Sequence, residues 1–211
     1  MVFKDRFQAG KLLARNLKDY KDSKNTVVIA LPRGGVPVGY EIAKELNLPL
    51  NIFFVKKIPS PFNQEVAIGA VSENEFLYKN HNAINILGID SDYIEQKAKE
   101  ILEYIKQKRK IYKIKPINLK RKRVILVDDG IATGATILLA IIALKKQECV
   151  KEVIVASPVA SLDSINLIHS LADKIEVLLT PQNFTAVGAY YQRFHQLSDD
   201  EVVELLTQIM H

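Results

Sequence analysis

The sequence predicts an α/β fold, a doubly wound and mainly parallel sheet, and three features carry that prediction. Short β-branched runs without alternation recur at 26–31, 50–55, 124–127, 152–156 and 175–179, as strands buried on both faces do. Helical stretches lie between most of them, which is the alternation of a βα chain. No internal repeat or low-complexity linker interrupts the 211 residues, so 1–211 is expected to form a single domain around one core.

The elements follow in order. Residues 3–20 read as an amphipathic helix, with Phe7, Leu12, Leu13 and Leu17 at helical spacing. Strand 26–31 (TVVIAL) breaks at PRGG, 32–35, and a helix over 36–46 leads to the strand at 50–55. Pro59 and Pro61 make 56–63 a loop, after which 67–72 and 76–78 read as a hairpin. Asp92 and Glu95 resemble a capping pair, opening a long helix marked by Ile94, Ala98, Ile101, Leu102, Ile105 and Tyr112. Its narrow apolar stripe predicts that it covers the sheet. Strand 124–127, helix 134–146, strand 152–156, helix 162–171, strand 175–179 and a final helix at 199–210 complete the chain. Ligands of such sheets bind beyond the carboxyl ends of the strands, so the chemistry is expected at 32–35, 56–65 and 128–136.

Composition narrows the function classes. With 48% hydrophobic and 25% charged residues and a mean hydropathy of +0.02, the chain is neither disordered nor fibrous. The charged start lacks a signal-peptide core, and the longest apolar run, 137–144, is far short of the ~20 residues that cross a bilayer. A cytoplasmic location is therefore expected. Cys149 is the one cysteine, and four scattered histidines give no zinc spacing, so no structural metal is expected. Residues 106–123 (KQKRKIYKIKPINLKRKR) hold ten Lys or Arg and no acid, leaving 19 basic residues against 24 acidic elsewhere. The block reads as a solvated helix end, as a nucleic-acid surface, or as a basic entrance to a polyphosphate site. Sequence-specific nucleic-acid binding is not expected, because no aromatic platform accompanies it apart from Tyr112.

The segment VILVDDGIATGAT, 124–136, is the most informative. An apolar strand delivers Asp128 and Asp129 to the sheet edge. A small-residue turn then opens a helix whose free N–H groups suit a phosphate, with Thr133 and Thr136 adding hydroxyls. No Lys follows the second Gly and G-x-G-x-x-G is absent, which leaves a monophosphate beside a diol. In this the chain resembles the type I phosphoribosyltransferases and their motif for phosphoribosyl pyrophosphate (PRPP). The resemblance implies that Asp128 and Asp129 hold the ribose hydroxyls and that Ala132, Thr133, Gly134, Ala135 and Thr136 wrap the 5′-phosphate. It implies a glycosyltransferase of nucleotide metabolism, Mg²⁺ arriving with PRPP, with Asp128 and Asp129 as its candidate ligands, and a homodimer.

LPRGG, 31–35, resembles the family's pyrophosphate loop, in which a strained peptide, cis without proline, turns N–H groups toward the leaving group. Gly34 and Gly35 would permit that backbone through positive φ, and Arg33 would face the pyrophosphate. Lys56 and Lys57 resemble the basic pair before a mobile loop in adenine phosphoribosyltransferases, with an exposed surface pair as the plain alternative. Glu65 is the acid available in that loop for proton transfer. Phe184, Tyr190, Tyr191 and Phe194 either stack on a base or belong to the core. With the first three as the base site, 181–211 and the N-terminal helix would form a small hood; His195 reads as structural. The 6-oxopurine enzymes carry Asp where this chain has Ala132, so a purine-like acceptor nearer adenine is expected. The alternative function is a non-catalytic PRPP-sensing regulator with the same fold.

Overall fold

The computed structural model describes residues 2–64, 66–146 and 149–209. In chain order its elements are α1 (Arg6–Asn16), β1 (Thr26–Ala30), α2 (Gly35–Leu46), β2 (Leu50–Ile52), β3 (Val55–Pro59), β4 (Ala67–Ser72), β5 (Leu77–Lys79), α3 (His81–Leu87) and α4 (Ser91–Tyr112). They continue as β6 (Arg123–Val127), α5 (Ala135–Lys146), β7 (Glu152–Val159), α6 (Leu162–Ile168), β8 (Lys174–Leu179) and α7 (Asp199–Ile209). Five strands form a parallel sheet in the order β2-β1-β6-β7-β8, and β3-β4-β5 form a separate antiparallel sheet.

The unbroken apolar runs are explained by burial on both sides. Val28, Ala30, Ile125, Val127, Ile154 and Ala156 point into one core with Ile42 of α2 and with Val202 and Leu206 of α7. Their sequence neighbours Val27, Ile29, Val124, Leu126, Val153 and Val155 point the opposite way, against Ile137, Ala140, Ile141 and Leu144 of α5. Each Val, Ile or Leu side chain among them contributes about 1.5–3 kcal/mol by leaving water. The doubly wound sheet is thus confirmed.

Four expectations are corrected. Residues 3–20 are not one helix: Asp5 caps α1 by accepting from the Gln8 N–H at 2.9 Å, and Phe3 lies outside it, bridged to Tyr191. Residues 56–59 are not loop but belong to β3, paired with β4 from Val55↔Ser72 onward. Proline is tolerated there because β3 is an edge strand, with a register irregularity at Ile58/Pro59. Asp90, not Asp92, caps α4 through a bond from the Asp92 N–H at 2.9 Å. And α4 does not lie across the parallel sheet alone: Ile94 and Ala98 pack on Ile58, Ile68 and Val71 of the antiparallel one, whereas Ile105 and Tyr112 join the core on one face of the parallel one. The hairpin of β4 and β5 forms as the sequence predicts, whereas α3 adds a helix that it does not.

The basic block is partly consumed internally. The Arg109 guanidinium binds both carboxylate oxygens of Glu73 and the Ile52 carbonyl, Lys108 pairs with Asp199, and Lys106 and Arg123 pair with Glu103 and Glu152. Among the described residues no helix is long and apolar enough to cross a membrane.

Candidate active site

Strands β1 and β6 are parallel neighbours with Ala30 opposite Val127, so their carboxyl ends release 31–35 and 128–136 side by side. The Leu31 N–H donates to the Val127 carbonyl at 2.9 Å, and the Pro32–Arg33 peptide is cis. The two glycines serve closeness rather than positive φ, which corrects the sequence reading: Gly34 has φ −59°. A Cβ on Gly34 would lie 2.2 Å from Asp129 Oδ2, and one on Gly35 2.6 Å from the Val127 carbonyl oxygen. Gly134 does need the left-handed region, at φ +76°, where it turns the chain into α5.

The acidic pair is asymmetric. Asp128 accepts the Asp129 N–H at 2.9 Å, and loss of solvent together with the neighbouring Asp129 carboxylate pushes its carboxyl well above the ordinary range. Asp129 accepts from Arg6 Nε at 2.7 Å, and its carbonyl accepts from the Tyr191 hydroxyl at 2.5 Å. Beyond them, Ser161 Oγ donates to the Ala132 carbonyl at 2.6 Å and Ser164 Oγ to the Ile131 carbonyl at 3.1 Å. The turn is thereby held from below, and Ala132, Thr133 and Thr136 stay exposed.

On one side of Arg33 lies a pocket of about 140 Å³ whose lining includes Lys56, Tyr104, Tyr112 and Thr136. The Lys56 ammonium sits 3.8 Å above the centre of the Tyr104 ring. Lys57, one position along β3, is exposed and projects from the opposite face of the strand. Glu65 lies outside the described residues. On the other side of Arg33 is a cleft of about 290 Å³ lined by Gly34, Asp129, Arg6, Phe194, His195 and others.

This second wall joins the two ends of the chain. The Phe3 N–H donates to the Tyr190 carbonyl and the Gln192 N–H to the Phe3 carbonyl, both at 2.8 Å. The Tyr191 ring meets Phe3 at 5.5 Å and Phe194 at 5.1 Å between centroids, and the Arg6 guanidinium covers Phe194 at 3.9 Å. Tyr191 is therefore core and not a base platform: it is 6% exposed and its ring is taken up by its neighbours. Phe184 and Tyr190 stack on each other at 5.6 Å, and neither lines the cleft beside Asp129. His195 Nε2 lies 2.8 Å from Glu201 Oε1, a structural partner. Arg6 is the residue that the sequence reading misses. Its charge meets Asp129 across 123 positions of sequence, and no local pattern announces such a contact.

The phosphoribosyl transferase domain matches residues 3–191. The chain belongs to the phosphoribosyl transferase family, the type I family that its motifs resemble. A provisionally assigned phosphoribosyl transferase of Mycobacterium tuberculosis, found in strains CDC 1551 and H37Rv, is 37% identical over 209 residues. That match takes in 97% of this chain and 46% of the relative, so the chain spans about half the length of the curated relatives it matches. The crystal structure of TT1426 from Thermus thermophilus is similar with a TM-score of 0.86 at 36% identity, over 99% of each chain. AQ2163 of Aquifex aeolicus shares the fold, with a TM-score of 0.50 at 14% identity over 82% of this chain and 72% of that one. The phosphoribosyl transferase match includes Arg6, both loops and Tyr191, and stops short of Phe194 and His195.

Proposed function

We propose that the chain transfers the 5-phosphoribosyl group of PRPP to a ring nitrogen of a planar heterocycle and releases pyrophosphate. The observation that carries this reading is the packing of the two loops, with Gly34 against the Asp129 carboxylate at the ends of adjacent strands. Ala132 to Thr136 would receive the 5′-phosphate with N–H and hydroxyl donors, and Asp128 and Asp129 the ribose hydroxyls. Arg33 and the amides of Gly34 and Gly35 would face the pyrophosphate, joined by Lys56 across the smaller pocket. Lys57 would act at the rim. Arg33 lines both pockets, which supports a reacting carbon between them.

The bond from C1 to the pyrophosphate oxygen breaks with its electron pair leaving on pyrophosphate, and the acceptor nitrogen's lone pair forms the new bond. Any proton on that nitrogen passes to solvent or to a loop acid, the role expected of Glu65. Cations aimed at the leaving group stabilise the charge it gains. Two adjacent carboxylates at one strand end fit Mg²⁺, which takes one or two such ligands and completes its shell with water and substrate phosphate. Asp128 and Asp129 would hold it; bound there with PRPP, it would neutralise charge on the departing pyrophosphate.

The acceptor would lie in the cleft lined by Arg6 and Phe194, with 181–211 and α1 proposed as the hood of a single domain. Incubation with Mg²⁺, PRPP and a panel of bases, read as pyrophosphate and nucleotide formed, tests the reading. PRPP binding without turnover of any base would make the chain a sensor instead.

A further inference from the structure

Arg6 has five N–H donors and no acceptor, and the structure accounts for only part of that set. Nε donates to Asp129 Oδ2 at 2.7 Å and Nη1 to the His195 carbonyl at 3.0 Å, while the centre of the Phe194 ring lies 3.9 Å from the guanidinium carbon. The third nitrogen, Nη2, donates to no described residue. Among the described residues the one buried side-chain polar atom without a hydrogen-bond partner is Glu41 Oε2, so Nη2 is open to solvent although Arg6 as a whole is 7% exposed. Arg6 lines both the cleft beside Asp129 and a second cavity of about 310 Å³ whose lining includes Phe7, Pro37, Arg193 and Leu197.

A fixed donor edge over an apolar floor, next to the carboxylate read as the ribose ligand, is a recognition element for the acceptor. We infer that Arg6 selects the acceptor by donating through Nη2 to an exocyclic oxygen, oxo or carboxylate, of a planar heterocycle. This inference rests on the phosphoribosyl transfer reading and reverses the preference for an adenine-like acceptor. An exocyclic amino group would set N–H against N–H, and the donor edge would lose its water without gaining a partner. An oxygen of either kind completes it.

The test uses the full chain with Mg²⁺ and PRPP, and reads pyrophosphate release with hypoxanthine, guanine, uracil, orotate and nicotinate against adenine. PRPP binding is measured separately by calorimetry. The wild type should use at least one oxygen-bearing base in preference to adenine, the oxo and carboxylate arms identifying which oxygen is meant. Arg6→Lys keeps a cation opposite Asp129 but loses the fork. It should raise the acceptor KM roughly 10- to 100-fold, the loss of one charge-assisted hydrogen bond, with PRPP affinity within about threefold. Retained PRPP binding also certifies that the variant is folded, and the base preference of the wild type stands without any variant. Adenine as the best acceptor, an unchanged acceptor KM in Arg6→Lys, or PRPP binding with no base used would each overturn the role of Arg6. Failure of the wild type to bind PRPP would overturn the transfer reading itself, and the inference with it.

Discussion

On the side of Arg33 proposed for the phosphates, the loops 31–35 and 128–136 pack backbone to backbone at two adjacent strand ends, while Lys56 of β3 and Tyr104 and Tyr112 of α4 complete the smaller pocket. On the side proposed for the acceptor, the groups come from residues near both chain ends, Phe3, Arg6, Tyr191 and Phe194, and the wall is a stack of side chains. A backbone wall tolerates substitution wherever the side chain points away, and fails where a Cβ has no room. A side-chain wall is held by long-range packing, so its failures spread into stability. The difference predicts which substitutions silence the protein while leaving it folded and which unfold it.

The largest effect is expected from Asp128→Asn combined with Asp129→Asn. Each lost charge-assisted bond to a ribose hydroxyl costs about 1.5–3 kcal/mol, so PRPP binding should fall by two to four orders of magnitude, roughly, without unfolding. Calorimetry showing unchanged PRPP affinity would remove the ribose from this strand end. Next come the two glycines, which separate function from fold within one tripeptide. In Gly34→Ala the new carbon would displace the Asp129 carboxylate from Arg6, so PRPP binding should weaken at least tenfold, roughly, with a near-normal melting temperature. In Gly35→Ala it would meet the Val127 backbone, and the cost of about 1–3 kcal/mol should appear in denaturant unfolding. Equal losses of stability in the two variants would contradict the division between them.

The side-chain wall should behave in the opposite way. Tyr191→Ala opens a cavity between Phe3 and Phe194 and leaves the Asp129 carbonyl without its hydroxyl donor, at a cost of about 3–5 kcal/mol. Tyr191→Phe keeps the stack and should cost only about 1 kcal/mol, the hydrogen bond alone. Urea unfolding of the pair measures the difference. A mild Tyr191→Ala would mean that the chain ends are held together by something other than this stack.

How far each wall is legible in the sequence follows from the same contrast. The acidic strand end and its turn are local: the residues 124–136 carry strand, acids, glycine and helix start in thirteen consecutive positions, and the structure keeps that order. LPRGG is legible as a loop beside it, but the reason for its glycines is not, because the carboxylate that excludes a Cβ at Gly34 comes from another strand. The β3 edge strand is hidden by Pro59, whose missing donor matters less at an edge than a run of residues suggests. Tyr191 and Phe194 are visible as aromatics, yet nothing local distinguishes a ring in a stack from a ring awaiting a base. Arg6 is illegible for the plainest reason: an amphipathic helix start gives no sign of an acid so far along the chain.

The finest distinction between the walls concerns protons. Asp128 is desolvated and faces Asp129, and both effects raise its carboxyl, whereas the acids of α7 are held low: Asp199 by the Lys108 ammonium first, and Glu201, down to about 2, by the Ser198 N–H first. A carboxyl whose folded-state value is raised binds protons better in the folded chain than in the unfolded one, so its contribution to stability is greatest below the unfolded value of about 3.9. That contribution is lost as pH rises from there through the raised folded value. Asp199 and Glu201 act with the opposite sign, their contribution being lost as pH falls toward their lowered values. Melting temperatures of the wild type and of Asp128→Asn, followed from pH 4 upward, separate the two, because the substitution leaves α7 untouched. The variant should gain on the wild type as pH rises and then run parallel to it once Asp128 has ionised. Parallel curves throughout would mean that Asp128 ionises as an ordinary carboxylate, and the asymmetry of the acidic pair would have to be abandoned.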